Sequence, residues 1–119
     1  MRELFTTSKL ITSAKIDGDA LILTLHGEID LHNSPELRTE MLGLLSAQRP
    51  GRLILDLAQV PYMDSSALAV YVESLKQMRQ AGGKIFLCGL QPRVRGLLEI
   101  ARLTTVFGIC GDVNEAMAR

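Results

Sequence analysis

A chain of 119 residues is one domain's length, and its 47% hydrophobic content is ample for a single packed core, which argues against disorder. Thirteen basic residues balance thirteen acidic ones, so capture of DNA or RNA through its phosphates is not expected. Aromatic residues at 4% with no Trp leave few platforms on which bases could stack.

The first clear elements lie in ITSAKIDGDALILTLHGEID, which reads as two strands around Asp17-Gly18, a dipeptide suited to the positive φ angles of a tight hairpin. Leu21, Leu23 and Leu25 alternate with Ile22 and Thr24, as a strand with a buried face requires. A helix follows, with Ser34 as its expected N-cap, Pro35 at its first position and Glu36 complementing the dipole. Leu37, Met41, Leu44 and Leu45 fall on one face of it, and Pro50-Gly51 stops it before the strand-like run RLILDL. Residues Ser65 to Gln80 form a second helix with Leu68, Tyr71, Val72, Leu75 and Met78 on one side, closed by Gly82-Gly83. Lys84 to Cys88 is a strand, and Pro92 to about Arg102 a helix striped by Val94, Leu97, Leu98 and Ala101. A brief strand over Val106 to Ile109 and a last helical turn or two from Asp112 complete the chain. Strands alternating with helices from Leu53 onward imply parallel pairing through crossovers. The expected fold class is therefore α/β: a central mixed sheet of about five strands, built from an N-terminal hairpin and parallel strands, with about four helices.

No apolar run approaches the roughly 20 residues that cross a bilayer, and the opening MRELFTTSKL has no apolar secretory core. One domain over 1–119, cytoplasmic and without membrane insertion, is the expectation. Cys88 and Cys110 sit in the apolar stretches IFLCGL and VFGICG without CxxC spacing, which reads as two buried thiols in a reduced protein.

Catalytic patterns are thin. A serine nucleophile needs a base within reach and a group orienting that base; only His26 and His32 are present, and there is no G-x-S-x-G elbow. An arrangement of Ser65, His32 and Asp30 can be drawn on paper, but no enzyme activity is expected from it. His26, Glu28, Asp30 and His32 alternate in the manner of ligands on one strand face, yet Gly27 interrupts the strand and no zinc spacing is matched. No metal and no cofactor is expected, since both phosphate-cradling glycine loops are missing as well. Arg93, Arg95 and Arg102 surround one helix and read as its solvated face.

The segment Val60-Pro61-Tyr62-Met63-Asp64-Ser65-Ser66-Ala67-Leu68 lies just past an expected parallel strand and opens the next helix. Sites in open α/β folds collect at such carboxyl ends. Asp64, Ser65 and Ser66 are each plausible caps, and a serine there can also carry a phosphate at small cost to the fold, because free N–H groups and the dipole favour negative charge.

In those residues the chain resembles the STAS domain family, named after sulfate transporters and anti-sigma factor antagonists. The resemblance rests on Gly27-Glu28-Ile29-Asp30, the Leu53 to Leu57 strand, the Met63-Asp64-Ser65-Ser66-Ala67-Leu68 box, the Gly82-Gly83 helix end and Gln91-Pro92-Arg93-Val94. It implies a small α/β domain with helices mainly on one side of its sheet and a role in partner switching. In the anti-sigma antagonist branch, the unmodified protein binds an anti-sigma factor that is a serine kinase and so regulates transcription; phosphorylation breaks the complex and a serine phosphatase restores it. Carried over by motif, the phosphoacceptor is Ser65, and Asp30, Asp64, Ser65 and Ser66 belong to the partner-binding surface. The resemblance equally covers STAS subunits of lipid or anion transporters and of stress-sensing complexes. One position departs from the family pattern: Ala67 stands where the box usually has Gly, and its methyl is expected to crowd the backbone a kinase would approach.

Overall fold

The computed structural model describes residues 1–6 and 8–119. In chain order its elements are β1 (Arg2–Leu4), β2 (Ile11–Asp17), β3 (Ala20–His26), α1 (Ser34–Gln48), β4 (Arg52–Gln59), α2 (Ser65–Gln80), β5 (Lys84–Cys88), α3 (Pro92–Ile100), β6 (Gly108–Cys110) and α4 (Val113–Met117). They form one mixed sheet in which spatial order follows chain order, β1-β2-β3-β4-β5-β6. The first two junctions are antiparallel and the remaining three parallel. The sheet thus has six strands rather than about five. The extra one, β1, pairs Arg2 to Leu4 with Ile16 to Ala14, and three residues are too few for alternation to declare a strand.

Each parallel crossover advances one strand in the same direction, so the crossovers lay α1, α2 and α3 on one face. Leu21, Leu23 and Leu25 of β3, Leu53, Leu55 and Leu57 of β4, and Ile85 and Leu87 of β5 point to that face and pack with the helices in one cluster. The alternate positions Ile22, Ile54, Phe86, Cys88 and Cys110 point the other way and are covered by Ala116 of α4. Runs such as LILTL and RLILDL are apolar at consecutive positions because both faces are covered there. Both thiols are buried and free, and burial pushes the Cys88 thiol up to about 12.

Boundaries shift in several places. The β2–β3 loop is Gly18-Asp19, since Asp17 already pairs with Ala20; Gly18 takes φ +60°, a sign that costs glycine nothing. Helix α1 has Asn33, not Ser34, at its cap, and Asn33 makes no side-chain cap bond. The backbone carbonyl of Asp30 already accepts from the N–H groups of Asn33 and Ser34, at 3.2 and 2.8 Å, so the loop itself opens the helix one residue early. Helix α3 stops at Ile100 because Arg102 turns left-handed, φ +59°, and the Leu103 N–H returns to the Leu98 carbonyl at 2.9 Å; Ala101, expected on the buried stripe, is exposed. The last strand begins at Gly108, two residues later than the expected Val106.

Candidate functional site

Strand β3 ends at His26, and Gly27, at φ +86°, turns the chain across the carboxyl end of the sheet. Ile29 then forms an isolated parallel bridge with Met63. The Ile29 N–H donates to the Tyr62 carbonyl and the Asp64 N–H to the Ile29 carbonyl, each at 3.1 Å. The loop after β3 and the loop after β4 are therefore laced together as a continuation of the β3–β4 pair.

Asp64 is the junction of this lacing. With extended backbone it caps α2; its Oδ1 accepts from the Ser66 N–H at 2.9 Å and from the Ser66 hydroxyl. Its Oδ2 accepts from the Leu31 N–H of the other loop at 3.2 Å. The Ser66 hydroxyl bond, followed by the backbone N–H groups of Ser66, Leu31 and Ala67, holds the Asp64 carboxyl below its ordinary value of 3.8. Asp30 organises its own loop: its carboxylate accepts from the N–H groups of His32 and Asn33, at 2.9 and 3.3 Å. Asn33 closes the loop by accepting from the Asp30 N–H and donating to the Glu28 carbonyl, both at 2.9 Å.

Ser65 occupies the first helical position of α2 and is exposed, whereas Ser66 beside it is half-buried and Ala67 fully buried. The Ser65 side chain stands where two shallow grooves meet. One, of about 450 Å³, runs between the start of α2 and α3 and is lined by Tyr62, Asp64, Arg93, Leu97 and Ile100 among others. The second runs along α2 past Leu68, Val72 and Lys76. Two large apolar side chains stand in the open here, Ile100 at 83% exposure, which lines the first groove with Ser65, and Leu31 at 73%, whose N–H is bonded to Asp64, and Arg93 lies with its guanidinium 4.8 Å from the centre of the Tyr62 ring.

Asp30, Asp64, Ser65 and Ser66 thus share one surface, but with unequal freedom. Ser66 is taken up by Asp64, and Ser65 presents the open hydroxyl. The methyl of Ala67 points into the core, where it does not crowd the surface, contrary to the expectation from the family pattern. Asp30 engages the backbone of His32, and among the described residues no hydrogen bond joins the His32 ring to Ser65 or Asp30. The alternating run from His26 to His32 is broken by the turn at Gly27, and among the described residues no three His, Cys, Asp or Glu side chains gather as ligands. Among the described residues no helix is long and apolar enough to cross a membrane. Sequence reasoning passed over Leu31, Ile100 and the Tyr62–Arg93 pair. The signal for Leu31 was there, a lone leucine in the polar stretch Asp30-Leu31-His32-Asn33. Ile100 was marked too, as an apolar residue off the Val94, Leu97 and Leu98 stripe of α3, whose phase turns it outward.

Comparison with known proteins meets this geometry. The STAS domain model matches residues 12–116. The chain is similar to the anti-sigma F factor antagonist of Paenibacillus polymyxa, 33% identical over 97 residues, covering 82% of this chain and 83% of the relative. It is also similar to the anti-sigma-B factor antagonist of Listeria monocytogenes, 34% identical over 93 residues, covering 78% and 81%. Among solved structures, the Bacillus cell fate determinant SpoIIAA in its phosphorylated form shares the fold at a TM-score of 0.70 and 18% identity, covering 89% of this chain and 96% of that one. A β3–β4 pair laced through Ile29 and Met63, an Asp-capped helix opening on a free serine, and a family match over almost the whole chain lead to one statement: this protein belongs to the STAS domain family.

Proposed function

We propose that this protein is an anti-sigma factor antagonist, a binding module rather than an enzyme, working in the cytoplasm. Its unmodified face around Ser65 binds an anti-sigma factor that is also a serine kinase; phosphorylation of Ser65 dissolves the complex, and a serine phosphatase restores it. The observation that carries this reading is the division of labour between adjacent serines: the Ser66 hydroxyl is bonded to Asp64, while Ser65 is exposed on the first turn of α2. Relatives at 33% and 34% identity bear the names of anti-sigma factor antagonists.

The physical consequence of phosphorylation is local. A phosphate brings about −1.5 to −2 charge next to Asp64, whose carboxyl is held below its ordinary value by its hydrogen bonds, and into the groove that the exposed Ile100 lines. A partner surface fitted to a neutral hydroxyl then meets like charge and must desolvate it. Each loss of about 1.4 kcal/mol weakens binding tenfold, so a few such units separate two binding states without refolding. The test is incubation with ATP and the anti-sigma kinase that copurifies with the protein. A gain of one phosphate that disappears in Ser65→Ala, together with loss of the complex, supports the reading. Phosphate uptake that persists in Ser65→Ala refutes it.

A further inference from the structure

Arg93 opens onto the groove that Ser65 borders, and among the described residues no carboxylate forms an ion pair with it. The ion pairs among the described residues are Arg38–Glu73 and Arg52–Asp19; Arg93 takes part in neither. Its guanidinium instead lies over Tyr62, 4.8 Å from the ring centre, and Tyr62 is three residues before Ser65 and lines the same groove. Stacking of this kind fixes the plane of a guanidinium while leaving its N–H edge available, and that planar fork matches the oxygens of a phosphate. We propose that Arg93 is the intramolecular receptor for a phosphate on Ser65, drawing it into the groove between α2 and α3.

The neighbouring charges make the assignment specific. Asp64 lines the groove and Asp30 stands on the adjoining loop, so neither can pair with a phosphate on Ser65. Glu73 and Lys76 lie in the other groove; Lys76 is eleven residues further along α2, about 16 Å at 1.5 Å per residue. Arg95 on α3 does not line the groove. Arg93 is left as the one cation among the residues that line the groove with Ser65. Paired there, the phosphate fills the space between Tyr62 and Ile100, and the phosphorylated face is blocked by volume as well as by charge.

The inference rests on Ser65 as the phosphoacceptor, and the experiment is arranged to separate the two. Phosphoserine is incorporated at position 65 during translation, and its second ionisation is followed by 31P NMR in the full chain, in Arg93→Gln, in Arg93→Lys and in Arg95→Gln. Loss of a facing cation raises the second phosphate pKa, and a shift of about 0.5 to 1 unit is expected for Arg93→Gln. Arg93→Lys, which keeps the charge but not the fork, gives a smaller shift, and Arg95→Gln leaves the titration in place. Coincident titrations of Arg93→Gln and the parent protein overturn the proposal, as does an equal shift in Arg95→Gln, which marks a diffuse field rather than a pair. Absence of kinase action on Ser65 would sink the functional reading while leaving this titration intact, because the phosphate is placed without a kinase.

Discussion

The carboxylate of Asp64 ties three N–H or O–H groups across two chain segments, and Asp64→Asn exposes what that costs to lose. Asparagine keeps the shape and one acceptor, so the bonds to Ser66 can survive in neutral form. Its amide nitrogen cannot accept from the Leu31 N–H, which now bonds to Oδ2. Loss of one charge-assisted bond and weakening of a cap put the destabilisation at about 1–2 kcal/mol at neutral pH. For a chain of this length that corresponds to a fall in Tm of roughly 4–10 °C. The pH dependence gives the sharper test. The native carboxyl titrates below its ordinary value of 3.8, so its contribution is fully present above that value and is lost as pH falls through the depressed native one. Urea unfolding of the parent and of Asp64→Asn at pH 7 and at a series of points below pH 4 therefore shows two stabilities that converge on acidification. A gap that stays constant down to pH 2.5 would show that the carboxylate charge plays no part in holding the two loops.

Replacing Leu31 or Ile100 by Ser weakens capture of the anti-sigma factor by tenfold or more, about 1.4 kcal/mol each, while Tm holds, because both side chains already lie in solvent; calorimetric binding beside thermal melts checks both halves. Ser65→Asp abolishes that binding and leaves stability within about 1 kcal/mol of the parent, since an acidic group at a helix start is favourable; gross unfolding of the variant would mean that Ser65 serves the fold. Tyr71→Phe is neutral or stabilising by up to about 1 kcal/mol, because the buried Tyr71 hydroxyl has no hydrogen-bond partner among the described residues; a loss above that figure in urea unfolding would reveal a bond to the hydroxyl. The Cys88 thiol, pushed up to about 12 by burial, stays inert to a thiol reagent at pH 8 in the native protein and reacts once urea unfolds it.

What could be read in advance depended on whether the signal was local. Helix α2 begins and ends where its sequence indicates, because Asp64 is an N-cap whose bond is made two residues away and Gly82-Gly83 is a local stop. Strand β5 likewise runs over the expected Lys84–Cys88. Strand β1 was invisible, since its three residues are strand only by virtue of pairing with β2. The α1 cap lies one residue before the expected Ser34 for a related reason: the Asp30 carbonyl accepts from the N–H groups of Asn33 and Ser34, so a loop that is tied to Met63 and Asp64 opens the helix early. At the site, motif placed Asp30, Asp64, Ser65 and Ser66, but their different freedom was legible only in three dimensions. Sequence shows two adjacent serines; the structure ties one hydroxyl to Asp64 and leaves its neighbour open.

The distribution of rigidity around Ser65 follows from the same topology and decides what kind of switch the surface can be. Because β3 and β4 are neighbouring parallel strands, the loops that leave their carboxyl ends lie side by side although Asp30 and Asp64 are 34 positions apart in the chain. The Ile29–Met63 bridge prolongs the sheet into those loops, with Ile29 fully buried and Met63 nearly so, and the Asp64–Leu31 bond fastens their outer rim. Further along α2 the bidentate contact of Arg38 with Glu73, at 2.6 and 2.7 Å, joins α1 to α2. A face braced in this way has few soft coordinates through which a modification could rearrange it, since packed interiors yield by discrete steps rather than by gradual deformation. Charge and volume added at Ser65 therefore act where they are placed. Under the partner-switch reading, the free protein in its two states should give superposable backbone amide spectra everywhere except around residues 28–33, 61–68 and the start of α3. Widespread shifts reaching β1 or α4 would show that the phosphate works through the fold and not through the surface.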